Sequence, residues 1–188
     1  ILALVKDAGE RDLVLCLMSG GGSALLVTPA DGVTLEDKQE VTRLLLACGA
    51  DIHEINSIRK HLSRAKGGGL ARFAYPATVV SLILSDVSGD DLNVIASGPA
   101  VPDTSTFSDT RQVLEKYDIW GQVPQSVQIR IERGLKGDVE DTPKAEDAVF
   151  KRCFSELVGT NLQALKAAGL KADELGYRTL ILSSTVEG

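Results

Sequence analysis

The sequence predicts an α/β protein, built as a three-layer Rossmann-like sandwich around a mostly parallel sheet. Apolar runs of strand length alternate along the chain with helical patterns, as in repeated strand–helix units. The runs are almost continuously apolar rather than alternating, which is typical of strands that helices cover on both faces. Together these two observations favour a parallel sheet between helical layers.

The predicted strands are three strong apolar runs, at residues 12–19, 78–85 and 177–184, and a weaker one at 153–158. Helical patterns are found at residues 34–48, 51–64, 70–74, 108–117, 126–135 and 161–175. Thr34 and Asp37 have the spacing of a helix-starting cap, and Gly49 and Gly176 are expected to end two helices. The charged, turn-rich residues 134–143 are predicted to form an exposed loop or hinge.

Composition narrows the class of protein and its partners. The chain has 188 residues, 44% of them hydrophobic and 24% charged, which is ordinary for one globular domain. A net charge of −6 and 4% aromatic residues disfavour a nucleic-acid partner, and no apolar run reaches the ~18–20 residues of a membrane span. Cys16, Cys48 and Cys153 include no Cys-x-x-Cys pair, so we expect buried, reduced thiols in a cytoplasmic protein.

The two ends of the sequence predict a fragment of a longer protein. The first ten residues, ILALVKDAGE, have no initial Met and no signal-peptide pattern, and they are similar to the end of a helix. Only Val186, Glu187 and Gly188 follow the last strand-like run, YRTLILSST. We therefore expect further elements of the fold to lie outside these 188 residues.

The first candidate site is MSGGGSAL, residues 18–25, directly after the first predicted strand. Consecutive glycines allow positive φ angles, so that backbone N–H groups can converge on an anion, with serine hydroxyls as further donors. The loop has neither the Gly-x-Gly-x-x-Gly pattern of dinucleotide sites nor the Gly-Lys-Ser/Thr of a Walker A loop. A flexible turn is the alternative to an anion site formed by Ser19, Gly20, Gly21, Gly22, Ser23 and Ala24.

The second candidate site is the segment NSIRKHLSRAKGGGLAR, residues 56–72, where positive charge is concentrated in an acidic chain. Residues 59–72 of this segment contain five basic residues and no acidic one. Helical periodicity places Asn56, Arg59 and Lys60 on one face, and the following glycines open a new helix whose N–H groups favour anions. A solvated basic face is the alternative to a small-anion site that also includes Lys66, Gly67 and Gly68.

The third candidate site is SDVSGDDLNVIASGP, residues 85–99, after the second strong strand. Asp86 stands at the carboxyl end of that strand, and Asp90 follows across a glycine turn. Carboxylates here could hold Mg²⁺ that bridges phosphates, or accept a proton from an attacking hydroxyl. The alternative is that they only cap the N–H groups of a turn. Ser97 and Gly98 form another turn that we expect at the same cleft.

Two weaker patterns point to other chemistry. The Ser-x-x-Lys motif of penicillin-recognising hydrolases occurs twice within ten residues, but its partner motifs Ser-Asp-Asn and Lys-Thr-Gly are missing from the sequence. His53 and His61 are eight residues apart with no third ligand in the pattern. We expect them to be surface or boundary histidines rather than metal ligands.

Taken in order, the three sites resemble the type-2 glycerate kinase family, whose members are also called glycerate 2-kinases and are often labelled hydroxypyruvate reductases. The matching stretches are LCLMSGGGSALL, EINSIRKHLSRAKGGGLA, LILSDVSGDDLNVIASGPAVPD and ELVGTNLQAL. The resemblance implies a larger protein, in which residues 1–188 belong to an N-terminal Rossmann-like domain. The smaller C-terminal domain of the family is absent from this sequence, and the active site would lie in the cleft between the two domains.

The resemblance also implies ATP- and Mg²⁺-dependent phosphorylation of D-glycerate to 2-phosphoglycerate. Glycerate is a small anion with a nucleophilic hydroxyl, so its kinase needs cations, a phosphate cradle and a metal site. On this hypothesis residues 19–24 bind a phosphate or the glycerate carboxylate, and the basic residues of the second site neutralise charge. Catalysis would depend on Arg59, Lys66 and Asp86, and Asp86 with Asp90 would hold Mg²⁺ or act as the base.

Two other functions remain open at this point. A hydroxypyruvate reductase would need a nicotinamide site, for which the sequence has no fingerprint glycine pattern. A non-catalytic sensor of small anions would use the same pocket without turnover, but it would gain nothing from Asp86 unless a metal joined it. The active-site lysine of the family, near its N-terminus, lies outside these residues, so we expect the fragment alone to be nearly inactive. A homodimer is left open.

Overall fold

A computed structural model describes residues 1–185, where a three-stranded sheet is combined with eight α-helices. The strands, β1 to β3, are Leu13–Met18, Thr78–Leu84 and Cys153–Gly159. The helices, α1 to α8, are Leu2–Lys6, Gly22–Leu25, Leu35–Ala47, Ile52–His61, Gly69–Ala74, Phe107–Lys116, Gln125–Leu135 and Asn161–Glu174. The sheet order is β1-β2-β3 and both pairings are parallel. The predicted α/β class with a parallel sheet is confirmed.

The buried apolar side chains form two clusters. One lies where α1 and α5 pack on the sheet, and it includes Val5, Leu70 and Val79. The other contains no strand residue: α3, α4, α6 and α7 pack on one another around Leu45 and Ile131, together with loop residues such as Ala30 and Ile119. These four helices therefore form a bundle beside the sheet instead of the layers over it that the strand–helix alternation predicted.

Only one face of the sheet is covered within residues 1–185. On the other face Leu17 is 74% exposed and Phe154 is 58% exposed, and α8, which follows β3, buries none of its side chains. The described residues thus provide two layers of the predicted three-layer sandwich. None of the described helices is both long enough and apolar enough to cross a membrane.

The predicted strand at residues 177–184 is wrong, because this segment forms no strand in the structure. A strand is stable when a neighbour completes its hydrogen bonds and a packed layer buries its side chains. Within residues 1–185 the segment pairs with no other strand, and Leu180 and Leu182 are exposed. The apolar run alone was therefore a misleading signal.

The first residues of the helices were predicted more accurately than the last strand, because local capping interactions determine where a helix begins. Four helices begin with a full capping box, in which the side chains of the cap and of the third helical residue exchange hydrogen bonds with the backbone. The caps are Thr34, Asp51, Thr106 and Thr160. α8 begins at Asn161, where its helical pattern was predicted to begin, and α4 ends at His61 rather than near residue 64.

The C-terminal end of the predicted hinge, residues 134–143, is anchored to the helical bundle. Asp141 Oδ1 lies 2.8 Å from Nε2 of His61, whose Nδ1 is 2.8 Å from the carbonyl oxygen of Ser57. Thr142 donates to Asp103 at 2.9 Å. The His61 side chain is fully buried, so its predicted surface or boundary position is wrong.

Candidate active site

The three candidate sites of the sequence meet at Ser23, just beyond the carboxyl end of β1. Lys66 Nζ donates to the carbonyl oxygen of Ser23 at 2.7 Å and to its hydroxyl at 2.9 Å. Arg59 Nη2 donates to the same carbonyl at 3.2 Å. The hydroxyls of Ser23 and Ser97 are 2.7 Å apart. The first candidate site (residues 18–25, the glycine loop), the second (residues 56–72, the basic segment) and residues 96–98 of the third (the third-site turn) are therefore in direct contact.

The backbone of the glycine loop explains why Ser23 can be reached from several sides. Gly21 adopts a left-handed conformation, with φ +80°, and α2 begins immediately after it at Gly22. A side chain at Gly22 would press against Ala96 of the third-site turn. The chain thus turns between β1 and α2, which places Ser23 beyond the carboxyl end of β1, the end at which ligands bind in parallel sheets.

A chain of hydroxyl hydrogen bonds leads away from Lys66. Ser97 Oγ donates to Oδ1 of the buried Asn56 at 3.0 Å, so its own proton is used there. In the contact between the two serines, Ser23 is then the donor and Ser97 the acceptor. The directed chain Lys66 to Ser23 to Ser97 to Asn56 fixes the orientation of every group in it.

The turn that carries Ser97 is conformationally strained. Ala96 and Ser97 have φ angles of +52° and +60°, and both are buried. Non-glycine residues held in the left-handed region cost about 1–3 kcal/mol each, and such residues cluster at functional sites. Gly98 follows with φ +60°. This left-handed backbone conformation places the Ser97 hydroxyl between Ser23 and Asn56.

Gly67 and Gly68 lie at the site but have a different role from the predicted one. The N–H of Gly67 donates to the carbonyl of Ser97 at 2.9 Å, and that of Gly68 donates to the carbonyl of Gly98 at 2.7 Å. Because both N–H groups are used within the protein, they are not donors for an anion. These glycines instead join the basic segment to the strained turn.

Three cations converge on this region. The Lys66 side chain is 2% exposed, and burial together with the charges of Arg59 and Lys38 lowers its pKa to about 7. Lys38 is 8% exposed, and burial together with the charge of Arg59 lowers its pKa to about 8. Burial also lowers the pKa of Arg59. Lowered pKa values of this kind are frequent where a protein is prepared to bind or move charge.

Lys38 is a residue that the sequence analysis missed. It lies in the acidic stretch LEDKQE at the start of α3, which gives no hint of an anion site. Helical spacing does give a signal, because Lys38, Val41 and Leu45 follow the i, i+3, i+7 pattern of one face and all three are buried. A lysine on the core face of a helix is unusual enough to mark a functional candidate.

Lys60 is oriented differently from the other basic residues of its segment. Its ammonium lies 3.0 Å from Oδ1 of Asp103, and both side chains are buried. Burial alone would raise the pKa of Asp103, but the Lys60 charge and the N–H of Ser105 outweigh it and lower the pKa. The predicted role of Lys60 in substrate binding is therefore corrected: it forms an internal ion pair.

Asp86 borders the glycine loop and has no bound partner. A Cβ atom added to Gly20 would overlap the Asp86 carboxylate, so the two residues are in close contact. Asp86 is exposed, and within residues 1–185 it forms neither an ion pair nor a side-chain hydrogen bond. Asp90 sits in the following turn with φ +57°. No group of three His, Cys, Asp or Glu side chains among the described residues could hold a metal by itself.

A cavity of about 680 Å³ also borders the glycine loop. Its walls are apolar residues of α1, β1 and α2, and Ser19 and Gly20 lie at its rim. None of its lining residues in the described part of the chain is charged. The apolar cavity therefore borders the same loop as the cationic cluster without including any of its cations.

Comparisons with known proteins agree on a single group. The family described as a domain of unknown function, DUF4147, matches residues 1–132. The glycerate 2-kinase of Pyrococcus horikoshii is 46% identical over 187 residues, which is 100% of this chain and 42% of that protein. The glycerate kinase of Homo sapiens is 46% identical over 188 residues, which is 100% of this chain and 35% of that protein.

A solved structure has the same fold. The crystal structure of a glycerate kinase from Thermotoga maritima matches with a TM-score of 0.81 and 45% sequence identity. The match covers 96% of this chain and 41% of that one. The chain thus spans less than half the length of the relatives that it matches.

Proposed function

Because this chain belongs to the glycerate 2-kinase family, we propose that it supplies the phosphate-handling part of an enzyme that transfers a phosphoryl group from ATP to D-glycerate, giving 2-phosphoglycerate. One observation carries the proposal: Lys66, Arg59 and Ser97 converge on Ser23, in the same loop whose Gly20 contacts the Asp86 carboxylate. Phosphoryl transfer depends mainly on positioning and on the neutralisation of charge, and these are the properties of such a cluster.

Lys66 and Arg59 have donors left for a ligand. The ammonium of Lys66 has three N–H groups, and two of them are used on Ser23. Among the described residues, Arg59 uses one guanidinium nitrogen, again on Ser23. In the proposed mechanism the remaining donors bind phosphoryl or carboxylate oxygens. The serine chain to Asn56 keeps Lys66 in position while it does so.

Asp86 is suited to either of two roles. Mg²⁺ in kinases is usually held by one or two carboxylates together with substrate phosphates and water, so the lack of a third carboxylate is compatible with such a site. Asp86, with Asp90 as second candidate, would hold the ion, which neutralises phosphate charge when bound. Alternatively Asp86 accepts the proton of the glycerate hydroxyl. Its exposed, unpaired carboxylate fits both roles.

The thiols support a protein of a reducing compartment, and we propose a cytoplasmic location. Cys16, Cys48 and Cys153 are free and half-buried, so they are less buried than the sequence led us to expect. Burial raises the pKa of Cys153 to about 11, with a smaller contribution from Cys16. Burial also raises the pKa of Cys16. Thiols with raised pKa values react slowly, so Cys16 and Cys153 are not candidate nucleophiles.

The proposal is tested with the full-length protein. Incubation with D-glycerate, ATP and Mg²⁺ is expected to form ADP and 2-phosphoglycerate in equal amounts. The same protein is then given hydroxypyruvate and NADH, which a reductase would consume. Oxidation of NADH without ADP formation would replace the kinase by the reductase. Stabilisation by glycerate with no turnover of either kind would indicate a sensor of small anions.

A further inference from the structure

Lys38 is a buried lysine that has no partner in the described part of the chain. Its side chain is 8% exposed, and within residues 1–185 its ammonium forms no hydrogen bond and no ion pair. A buried ammonium that lacks a partner costs several kcal/mol relative to its hydrated state. Lys60, one helix away, shows how this fold satisfies a structural lysine: its ammonium lies 3.0 Å from a buried carboxylate. Lys38 has no comparable arrangement.

Lys38 lies on α3, at the part of that helix that is held close to α4 and its basic residues. The chain between the glycine loop and α3 is attached to the end of α4, because Ala30 donates to the carbonyl of Leu62 at 3.0 Å and Arg64 to that of Thr28 at 2.9 Å. α3 also packs directly on α4, and Lys38 lies near enough to Arg59 for their charges to interact. The charge of Lys38 is close enough to act on Lys66 as well.

We propose that Lys38 is a third cation of the active site, which with Arg59 and Lys66 binds the phosphoryl group rather than the carboxylate of the substrate. This inference rests on the proposed kinase function. Among the described residues, none of the three cations is paired with a carboxylate. Glycerate carries a single negative charge, which compensates one of them. A phosphoryl group spreads more charge over three oxygens and can contact all three.

The experiment compares two ligands on variants of the full-length protein. Lys38→Met removes the charge and keeps the length of the side chain, and binding is measured by calorimetry with inorganic phosphate and with D-glycerate. We expect the Kd for phosphate to rise at least tenfold, which corresponds to about 1.4 kcal/mol. The Kd for D-glycerate is expected to change less than about threefold, since its carboxylate binds elsewhere. Lys136→Met, which removes an exposed lysine, is the matched control.

The thermal midpoint without ligand is a second measurement. Lys38→Met is expected to melt at the same temperature as the unchanged protein or higher, because it removes a buried charge that has no partner. A lower midpoint or failure to fold would mean that Lys38 is structural, and would overturn the inference. An unchanged Kd for phosphate, or equal losses for phosphate and glycerate, would overturn it as well. Absence of ADP formation by the unchanged protein would instead contradict the proposed function, whatever Lys38 binds.

Discussion

Lys66 donates two hydrogen bonds to Ser23, at 2.7 Å to the carbonyl oxygen and 2.9 Å to the hydroxyl. Both acceptors are neutral, although the ammonium is buried and has cationic neighbours. Lys60, six residues earlier on the chain, has a carboxylate partner instead. The same basic segment therefore contains one lysine whose charge is compensated internally and one whose charge remains for a ligand.

Removal of the charge at position 66 is expected to affect catalysis more than folding. Lys66→Ala and Arg59→Ala should each lower kcat/KM of the full-length kinase by at least ~100-fold, or about 2.7 kcal/mol of transition-state stabilisation. The measurement is steady-state ADP formation, together with circular dichroism to verify folding. Near-wild-type rates in well-folded variants would contradict the roles given to both residues.

Lys60 provides the contrasting case. Lys60→Ala leaves the carboxylate of Asp103 buried without its cation, and breaking a buried pair in this way costs about 3–5 kcal/mol of stability. We expect a large fall in the free energy of unfolding, measured by urea denaturation. The paired variant with Lys60→Met and Asp103→Leu should recover much of the loss. A Lys60→Ala protein of normal stability but impaired binding of glycerate would restore the role predicted from the sequence.

Anion binding is expected to take up protons at mildly alkaline pH. The pKa values of about 7 for Lys66 and about 8 for Lys38 lie below the usual range of lysine, so at pH 8 both side chains are partly neutral. A bound anion stabilises the charged forms and raises both pKa values, and Arg59 stays charged throughout. Affinity should therefore be highest below about pH 7 and should fall as the pH rises above it.

The measurement uses sulfate, because its own charge is constant in this range. Calorimetry at pH 8 in buffers with different ionisation enthalpies should detect an uptake on the order of one proton per sulfate bound. Lys66→Met should reduce this uptake. Binding enthalpies that do not depend on the buffer would show that neither lysine changes its protonation state.

The parts of the site that could be predicted from the sequence are those that local rules determine. The sequence alone indicated the glycines after a strand, the basic helix face and the aspartate at a strand end. A parallel sheet then brings the carboxyl ends of its strands together. Whether a basic residue is free or paired could not be predicted. Lys60 and Asp103 are 43 positions apart, and nothing in the spacing links them.

The errors at the level of the fold have a similar origin. Periodicity shows that a helix has an apolar face, but it does not show what covers that face. The apolar faces of α3 and α7 pack within one helical cluster, although the alternation of strands and helices suggested a layer over the sheet. Residues 177–184 have the composition of a strand and lack the neighbour that a strand requires.

Asp86→Asn tests the carboxylate without changing its shape. We expect kcat/KM to fall by at least ~100-fold, because the amide neither accepts a proton nor attracts Mg²⁺ as a carboxylate does. If Asp86 holds the ion, the Mg²⁺ concentration for half-maximal activity should also rise; if it is the base, that concentration should stay the same. Asp91→Asn is the control, since Asp91 already accepts a backbone hydrogen bond from Asn93. Equal effects of the two substitutions would contradict a special role for Asp86.

Substitutions at two neighbouring glycines distinguish the effect of displacing Asp86 from the effect of straining the loop backbone. A Cβ at Gly20 would overlap the Asp86 carboxylate, which is exposed and can move away, so Gly20→Ala should lower kcat/KM at least ~10-fold with little change in the thermal midpoint. At Gly21 a Cβ would meet no atom within 4 Å, but its φ of +80° penalises any side chain. Gly21→Ala should therefore lower the free energy of unfolding by about 1–2 kcal/mol. Both quantities are measured for both variants. Stability loss in Gly20→Ala without a catalytic defect would mean that the carboxylate is not required where it lies.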